Sequence, residues 1–386
     1  MLRLLAGEAA RRFGARAAVV SGSMSLSFTE LDRLSDQVAA GLTHRGVRVG
    51  DLVALALPDG PEFVLCYLAA AKIGALTAGC GPGKLPDGLR PDLVITEPGP
   101  SPAPPGVEVI TLPVRRGLPY SLRGVARDER PPPPFPPDPE RPVVVAFTSG
   151  RTGPRKGAVF GDRQLAAIRA HGAGTRWGTG DARLVTQPLG HLSFATRLPI
   201  FLQTGRTSHL LPCWEAGAAV EVLRRHRIRV LQGSPRQLAE LLATGAELPD
   251  LTLVLSGGAP APPGLIRALR ERYGVPVCNR YLCTEAGLGL GTRPDDPPED
   301  AEESVGRPRA GVDVAIRDAA GRPVEEGEEG EVLLRSPAVM TGYLERSRDR
   351  SVFARDGFIR TGDRGYIDHT GRLRLAGRTL PSGPVS

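Results

Sequence analysis

Residues 143–160 read Val143-Val-Val-Ala-Phe-Thr-Ser-Gly-Arg-Thr-Gly-Pro-Arg-Lys-Gly-Ala-Val-Phe160, a β-branched apolar run that breaks into hydroxyls, glycines and one lysine before apolar residues resume. The spacing predicts a buried strand over 143–147 and the start of another at 158–160, with 148–157 connecting them. Gly150, Gly153 and Gly157 expose backbone N–H groups, Thr148, Ser149 and Thr152 add hydroxyl donors, and Lys156 adds a point charge. A concave set of such donors suits a polyphosphate better than a neutral ligand. The Walker A pattern G-x-x-x-x-G-K-[ST] would need glycine at 155 and serine or threonine at 157. Arg155 and Gly157 stand there, so the pattern fails.

Working outward, 386 residues of which 41% are hydrophobic can bury more than one core, and a prior of about 150 residues per domain predicts two or three lobes. The formal charge is +7, but only Lys72, Lys84 and Lys156 are lysines and the arginines are scattered along the whole chain. No basic stripe interleaved with aromatics appears, which argues against nucleic acid as a partner. Cys66, Cys80, Cys213, Cys278 and Cys283 are odd in number and lack C-x-x-C spacing, so they read as reduced thiols of a cytoplasmic protein rather than a disulfide framework or zinc site. Arg3, Glu8, Arg11, Arg12 and Arg16 interrupt the first twenty residues, leaving neither a secretory leader nor a membrane span.

Before the loop, leucines and a valine at three- and four-residue steps predict an amphipathic helix over 29–42, a buried strand over 51–57, and a helix over 61–73 closed by Gly74. The segment 107–112 reads as a further strand, and 127–142, with Pro131-Pro-Pro-Pro-Phe-Pro-Pro137, as a polyproline-like spacer. After the loop, β–α alternation continues: a helix over 162–171, a strand from 183 leading to Pro188-Leu-Gly-His191, a strand at 228–235, a helix at 236–243, and a strand over 251–259 ending in Gly257-Gly258-Ala259. Strand-end glycines let a flat ligand approach the backbone. From 312 to 375 apolar and polar residues alternate around turns, predicting an antiparallel, barrel-like lobe.

Residues 148–157 resemble the T-S-G-T-T-G-x-P-K-G signature of the adenylate-forming superfamily, which holds acyl-CoA synthetases, luciferase-like enzymes and peptide-synthetase adenylation domains. Arg151 and Arg155 replace a threonine and the proline. The likeness continues in Tyr281-Leu-Cys-Thr-Glu285 against Y-G-x-T-E, in Arg360-Thr-Gly-Asp-Arg-Gly365 against R-T-G-D-x-G, and in Gly377-Arg378 at the family's hinge, where Pro381 stands in place of the hinge aspartate. It implies an α/β fold of two packed α/β-sheet lobes plus a small β-barrel-like lobe, as in the N-terminal domain of these enzymes. The domain over 1–378 would divide into a shortened first lobe at 1–130, a Pro-rich linker at 131–142, a second lobe with the phosphate loop at 143–305 and the barrel-like lobe at 306–375, with the start of a hinge at 376–386.

The same resemblance assigns roles. Thr148, Ser149, Gly150, Thr152, Gly153, Lys156 and Gly157 would cradle the phosphates of ATP; Gly257, Gly258 and Ala259 would wall adenine and acyl groups; Tyr281 would stack on adenine, Thr284 bind the α-phosphate and Glu285 hold Mg2+. Asp363 would take the ribose hydroxyls, Arg378 ribose or phosphate, and His191 would border the acyl pocket. The implied reaction is attack of a small carboxylic acid on the α-phosphate of ATP, giving an acyl-adenylate, followed by transfer to coenzyme A or a carrier-protein thiol. Members of the superfamily continue into a C-terminal lid, and this sequence, ending at Ser386, reads as a truncated form whose lid lies in further chain or a separate partner. Two alternatives stay open: activation of a non-carboxylate such as nitrite, which keeps all the nucleotide residues, and a non-catalytic interaction module, which keeps the glycines and strands but loses nucleotide binding and is favoured by Arg151, Arg155, Leu282 and Pro381.

Overall fold

Leucine and alanine at helical spacing, Leu2, Leu5, Ala6 and Ala9, bury one face of helix α1 (Leu2–Phe13). The structure, a computed structural model, describes residues 1–128, 133, 135–150, 154–178 and 180–378. The chain forms two units, Met1–Thr148 with Gly157–Trp214, and Ser149–Lys156 with Glu215–Ser386. In the first, α1 leads to the hairpin β1 (Ala17–Ser21) and β2 (Met24–Ser27), then to α2 (Phe28–His44). The Ser27 hydroxyl accepts from the Glu30 amide while the Glu30 carboxylate accepts from the Ser27 amide, a capping box that fixes where α2 starts.

Strand β3 (Leu52–Ala56) and helix α3 (Pro61–Lys72) are buried at every position, the pattern of elements covered on all sides. Strands β4 (Leu76–Gly79), β5 (Leu93–Thr96), β6 (Glu108–Thr111), β7 (Pro142–Phe147) and β8 (Gly157–Gly161) follow, then α4 (Asp162–Ala173), β9 (Arg183–Val185), α5 (Leu192–Ala195), α6 (Leu198–Thr204) and β10 (Ser208–Leu210). Within this unit one sheet runs β8-β7-β4-β3-β5-β6, parallel except for the antiparallel pair β7 and β8. The other runs β2-β1-β10-β9 and joins the N-terminal hairpin to β10, Val19 opposite Ser208. Of the spacer at 127–142, residues 129–132 and 134 lie outside the described residues. Its C-terminal end is tied down: the Arg141 guanidinium stacks on Phe135 and donates to the Pro136 carbonyl.

The second unit carries α7 (Ala216–Arg225), β11 (Val230–Gly233), α8 (Pro235–Ala243), β12 (Leu253–Gly257), α9 (Pro263–Tyr273), β13 (Val277–Tyr281), β14 (Leu290–Gly291), α10 (Pro298–Glu303) and β15 (Arg307–Pro308). Its first sheet runs β11-β12-β13-β14-β15, parallel across the first three strands, so β12 and β13 end side by side. The antiparallel lobe is a four-stranded sheet, β16 (Asp313–Arg317), β17 (Gly330–Arg335), β19 (Ile359–Ile367) and β20 (Leu373–Arg378), with the two-residue β18 (Gly342–Tyr343) between β17 and β19 in the chain. No helix among the described residues is long and apolar enough to cross a membrane.

Candidate active site

Past Tyr281 the chain of the second unit tightens into a 3-10 turn, Thr284–Ala286, and leaves it through Gly287. Only glycine fits there: φ is +65°, and a Cβ would lie 2.2 Å from the Ala338 carbonyl oxygen. Two further bonds hold the turn against the segment that follows β17. The Met340 amide donates to the Glu285 carbonyl (2.9 Å) and the Ser336 hydroxyl to the Ala286 carbonyl (3.0 Å). The backbone is thereby held at Glu285 and the residue after it.

Two side chains meet at its carboxylate. The Tyr343 hydroxyl donates to Glu285 Oε1 at 2.5 Å, Lys156 Nζ lies 3.9 Å from that oxygen, and the same Nζ sits 4.8 Å from the centre of the Tyr343 ring. Tyr343 is fully buried. Burial, and next to it the Glu285 charge, push the Tyr343 hydroxyl far above its ordinary pKa, so it stays protonated and donates. The loop thus brings its lysine to the Thr284–Glu285 turn.

A second cluster lies around Asp363 on β19. Asp363 Oδ2 accepts from the Tyr281 hydroxyl (2.6 Å), and Oδ1 lies 2.8 Å from Nε of Arg378, its cross-strand partner on β20. Thr361 fixes the backbone, its hydroxyl accepting from the Asp363 amide and donating to the Val332 carbonyl. Burial first, then Cys283 and Asp363, raise the Tyr281 pKa well above its usual value. Gly257 pairs with Arg280 one residue before Tyr281, so close that a Cβ would lie 3.1 Å from the Arg280 carbonyl oxygen. Gly258 follows at φ +86°. Gly257, Gly258, Ala259 and Tyr281 therefore sit at neighbouring carboxyl ends of parallel strands, where α/β sheets bind ligands.

The remaining candidates are placed less directly. Ser149 and the left-handed Gly150 open the loop of the second unit, whereas in the first Thr148 follows the last residue of β7 and Gly157 begins β8. Thr152 and Gly153 lie outside the described residues, as do Arg151 and Pro381. His191, also in the first unit, is the N-cap of α5: its Nδ1 accepts from the Ser193 amide (3.2 Å) and lies 2.9 Å from the Ser193 hydroxyl. Burial, helped by Arg197, lowers the imidazole pKa and keeps it neutral. The loop carrying it is pinned twice. Gly190 packs on Gly79, where a Cβ would come within 2.5 Å of the Gly190 Cα, and the Leu189 amide donates to Asp59 Oδ1 at 2.8 Å.

Asp59 gives the first prediction. Burial raises its pKa from 3.8 to about 6, against the opposing pull of the Leu189 amide. A carboxyl whose folded pKa is raised binds more protons folded than unfolded between these values, so its contribution is fullest at low pH and is lost as pH rises through about 6. The melting temperature of the parent minus that of Asp59→Asn is expected to fall between pH 4 and 6 and level off above; a flat difference refutes the assignment.

The residues present fit a nucleotide with its cation. Among the described residues no group of three or more His, Cys, Asp or Glu side chains is arranged to hold a metal. A single carboxylate completed by phosphate oxygens and water is how Mg2+ is usually carried at nucleotide sites, and Glu285 offers that carboxylate beside the Lys156 cation. Sequence reasoning missed Tyr343. It stands in an ordinary apolar run, Val339-Met-Thr-Gly-Tyr-Leu344, and its bond to Glu285 spans 58 residues.

This fold and site define an adenylate-forming ligase. The chain belongs to the AMP-binding enzyme family, which matches residues 7–344. It is 31% identical to the salicyl-AMP ligase / salicyl-S-ArCP synthetase of Mycobacterium tuberculosis over 96% of this chain and 72% of that protein, and 29% identical to feruloyl-CoA synthase of an Amycolatopsis species over 94% and 75%. The crystal structure of the inhibitor-bound N-terminal domain of FACL13 from Mycobacterium tuberculosis superposes with a TM-score of 0.83 at 25% identity, covering 98% of this chain and 99% of that domain. Use of ATP follows from the family.

Proposed function

We propose that this chain activates a small carboxylic acid with ATP and Mg2+ as an acyl-adenylate, for transfer to the thiol of coenzyme A or of a carrier protein. The observation that carries the reading is the convergence, within one unit, of Lys156 on Glu285 and of Tyr281 and Arg378 on Asp363. One carboxylate oxygen of the acid attacks the α-phosphorus, the bond from that phosphorus to the bridging oxygen breaks, and pyrophosphate leaves with the electron pair. Two anions must approach one another, so the work of the protein is positioning and charge compensation. Lys156 and Thr284 would contact the phosphates, the amides and hydroxyls of 148–157 would cradle them, and Asp363 with Arg378 would orient the ribose while Tyr281 covers the base. Mg2+, when held by Glu285, would supply Lewis-acid compensation of charge on the phosphate oxygens. The salicyl and feruloyl relatives support aromatic acids as the first to test. The five cysteines are free thiols, as suits a reducing cytoplasm.

The test is the melting temperature with ATP and Mg2+, followed by pyrophosphate release over a panel of benzoic and cinnamic acids, with nitrite as the non-carboxylate arm and hydroxylamine to trap the activated acyl group. Saturating ligand at a hundred times its Kd stabilises by about 2.7 kcal/mol, a readily measured shift. That shift, with release that depends on an acid, is expected. A well-folded chain showing no shift at millimolar ATP and no release with any acid overturns the proposal.

A further inference from the structure

We infer that Tyr343 is a positioning residue that aims the Glu285 carboxylate for Mg2+ and seats Lys156 beside it for ATP. The inference rests on the proposed reading of Glu285 as the cation ligand and Lys156 as a phosphate contact. It starts from an oddity of distance. A lysine and a glutamate on neighbouring segments ordinarily close into a hydrogen-bonded pair at about 2.7–2.9 Å. Here the gap is 3.9 Å, and the Glu285 oxygen that faces the lysine already accepts from Tyr343 at 2.5 Å. The lysine rests instead over the ring of the same tyrosine. One side chain therefore does two things: its hydroxyl holds Oε1, leaving Oε2 as the atom for a cation, and its ring seats the ammonium beside that carboxylate.

Tyr343 is itself fixed. Its amide donates to Asp349 Oδ1 at 2.7 Å, its ring is fully buried, and the residue before it, Gly342, has φ +143°, where a Cβ would fall 2.0 Å from Arg346 Nη1. A tyrosine so anchored has one place for its hydroxyl. Groups that orient a metal ligand are worth roughly 10–100-fold in metal affinity when removed.

The experiment measures the Kd of ATP by titration calorimetry with and without Mg2+, so that the ratio of the two reports what the cation contributes, in the parent, Tyr343→Phe, Glu285→Gln and the double variant. Phenylalanine keeps the ring and removes the hydroxyl. The expected result is a Mg2+ contribution about tenfold smaller in Tyr343→Phe, with Mg2+-free affinity little changed, and no additional loss when Tyr343→Phe is added to Glu285→Gln. A merely structural role would lower the melting temperature and leave the ratio intact, and that outcome overturns the inference. If Glu285→Gln leaves the ratio at the parent value, it is the reading of Glu285 that fails; if Glu285→Gln collapses the ratio and Tyr343→Phe does not, only the role of Tyr343 fails.

Discussion

Replacing Lys156 with alanine is expected to lower kcat/KM for acid-dependent pyrophosphate release by roughly 100-fold or more, the usual loss when one preorganised group facing developing charge is removed. The ligand-free chain should melt almost where the parent does. The Lys156 side chain is 33% exposed and its approach to Glu285 is long, so the pair contributes little to stability. Lys156→Arg separates charge from shape. A guanidinium is planar and larger than an ammonium and cannot occupy the same seat over Tyr343, so it should recover only part of the rate despite equal charge. Stopped assays reading pyrophosphate, at ATP concentrations above and below KM, decide the matter. Undiminished turnover in Lys156→Ala would remove the lysine from the reaction.

Much of this site was legible because its signals are local. The switch at 143–160 from β-branched residues to glycines and hydroxyls forms the β7–β8 hairpin with its loop, and the leucine and valine steps over 29–42 place α2 to within two residues at each end. Thr284-Glu285 and Thr361-Gly-Asp363 announce themselves as short motifs. What stayed hidden is pairing over distance. Helix α1 buries only a thin stripe of Leu2, Leu5, Ala6 and Ala9 among charged residues, and nothing near Val19 says that its parallel neighbour is Ser208. Tyr343 belongs to the same class, since a buried tyrosine declares its partner only when the fold brings Glu285 to it. His191 is the converse case. Its candidate role was readable, but the structure gives it a local duty, capping α5 through the Ser193 amide, that the H-x-S spacing alone could have signalled.

The largest loss of stability is expected from Lys72→Met in the first unit. Lys72, the last residue of α3, has a side chain only 2% exposed, and all three of its donors are used: Nζ bonds Asp32 Oδ1 at 2.6 Å, Asp36 Oδ1 at 2.8 Å and the Asp32 carbonyl at 2.8 Å. Asp32 and Asp36 stand one turn apart on α2, so this ammonium bolts α2 to α3. Methionine fills the volume but leaves two half-buried carboxylates facing each other without a cation, a change worth about 3–5 kcal/mol, or roughly 6–20 °C in the melting temperature of a unit this size. Neutralising the acids as well, in Lys72→Met with Asp32→Asn and Asp36→Asn, should recover much of that loss, because removing the whole network is far milder than orphaning part of it. The effect reaches the site through the chain: α3 begins immediately after Asp59 and Gly60, and Asp59 holds the loop that carries His191. A loosened α3 should therefore also flatten the pH 4–6 slope attributed to Asp59. Chemical denaturation of the single and triple variants tests the claim, and a triple variant no more stable than Lys72→Met would show that the lysine acts by packing its methylenes rather than by neutralising the pair.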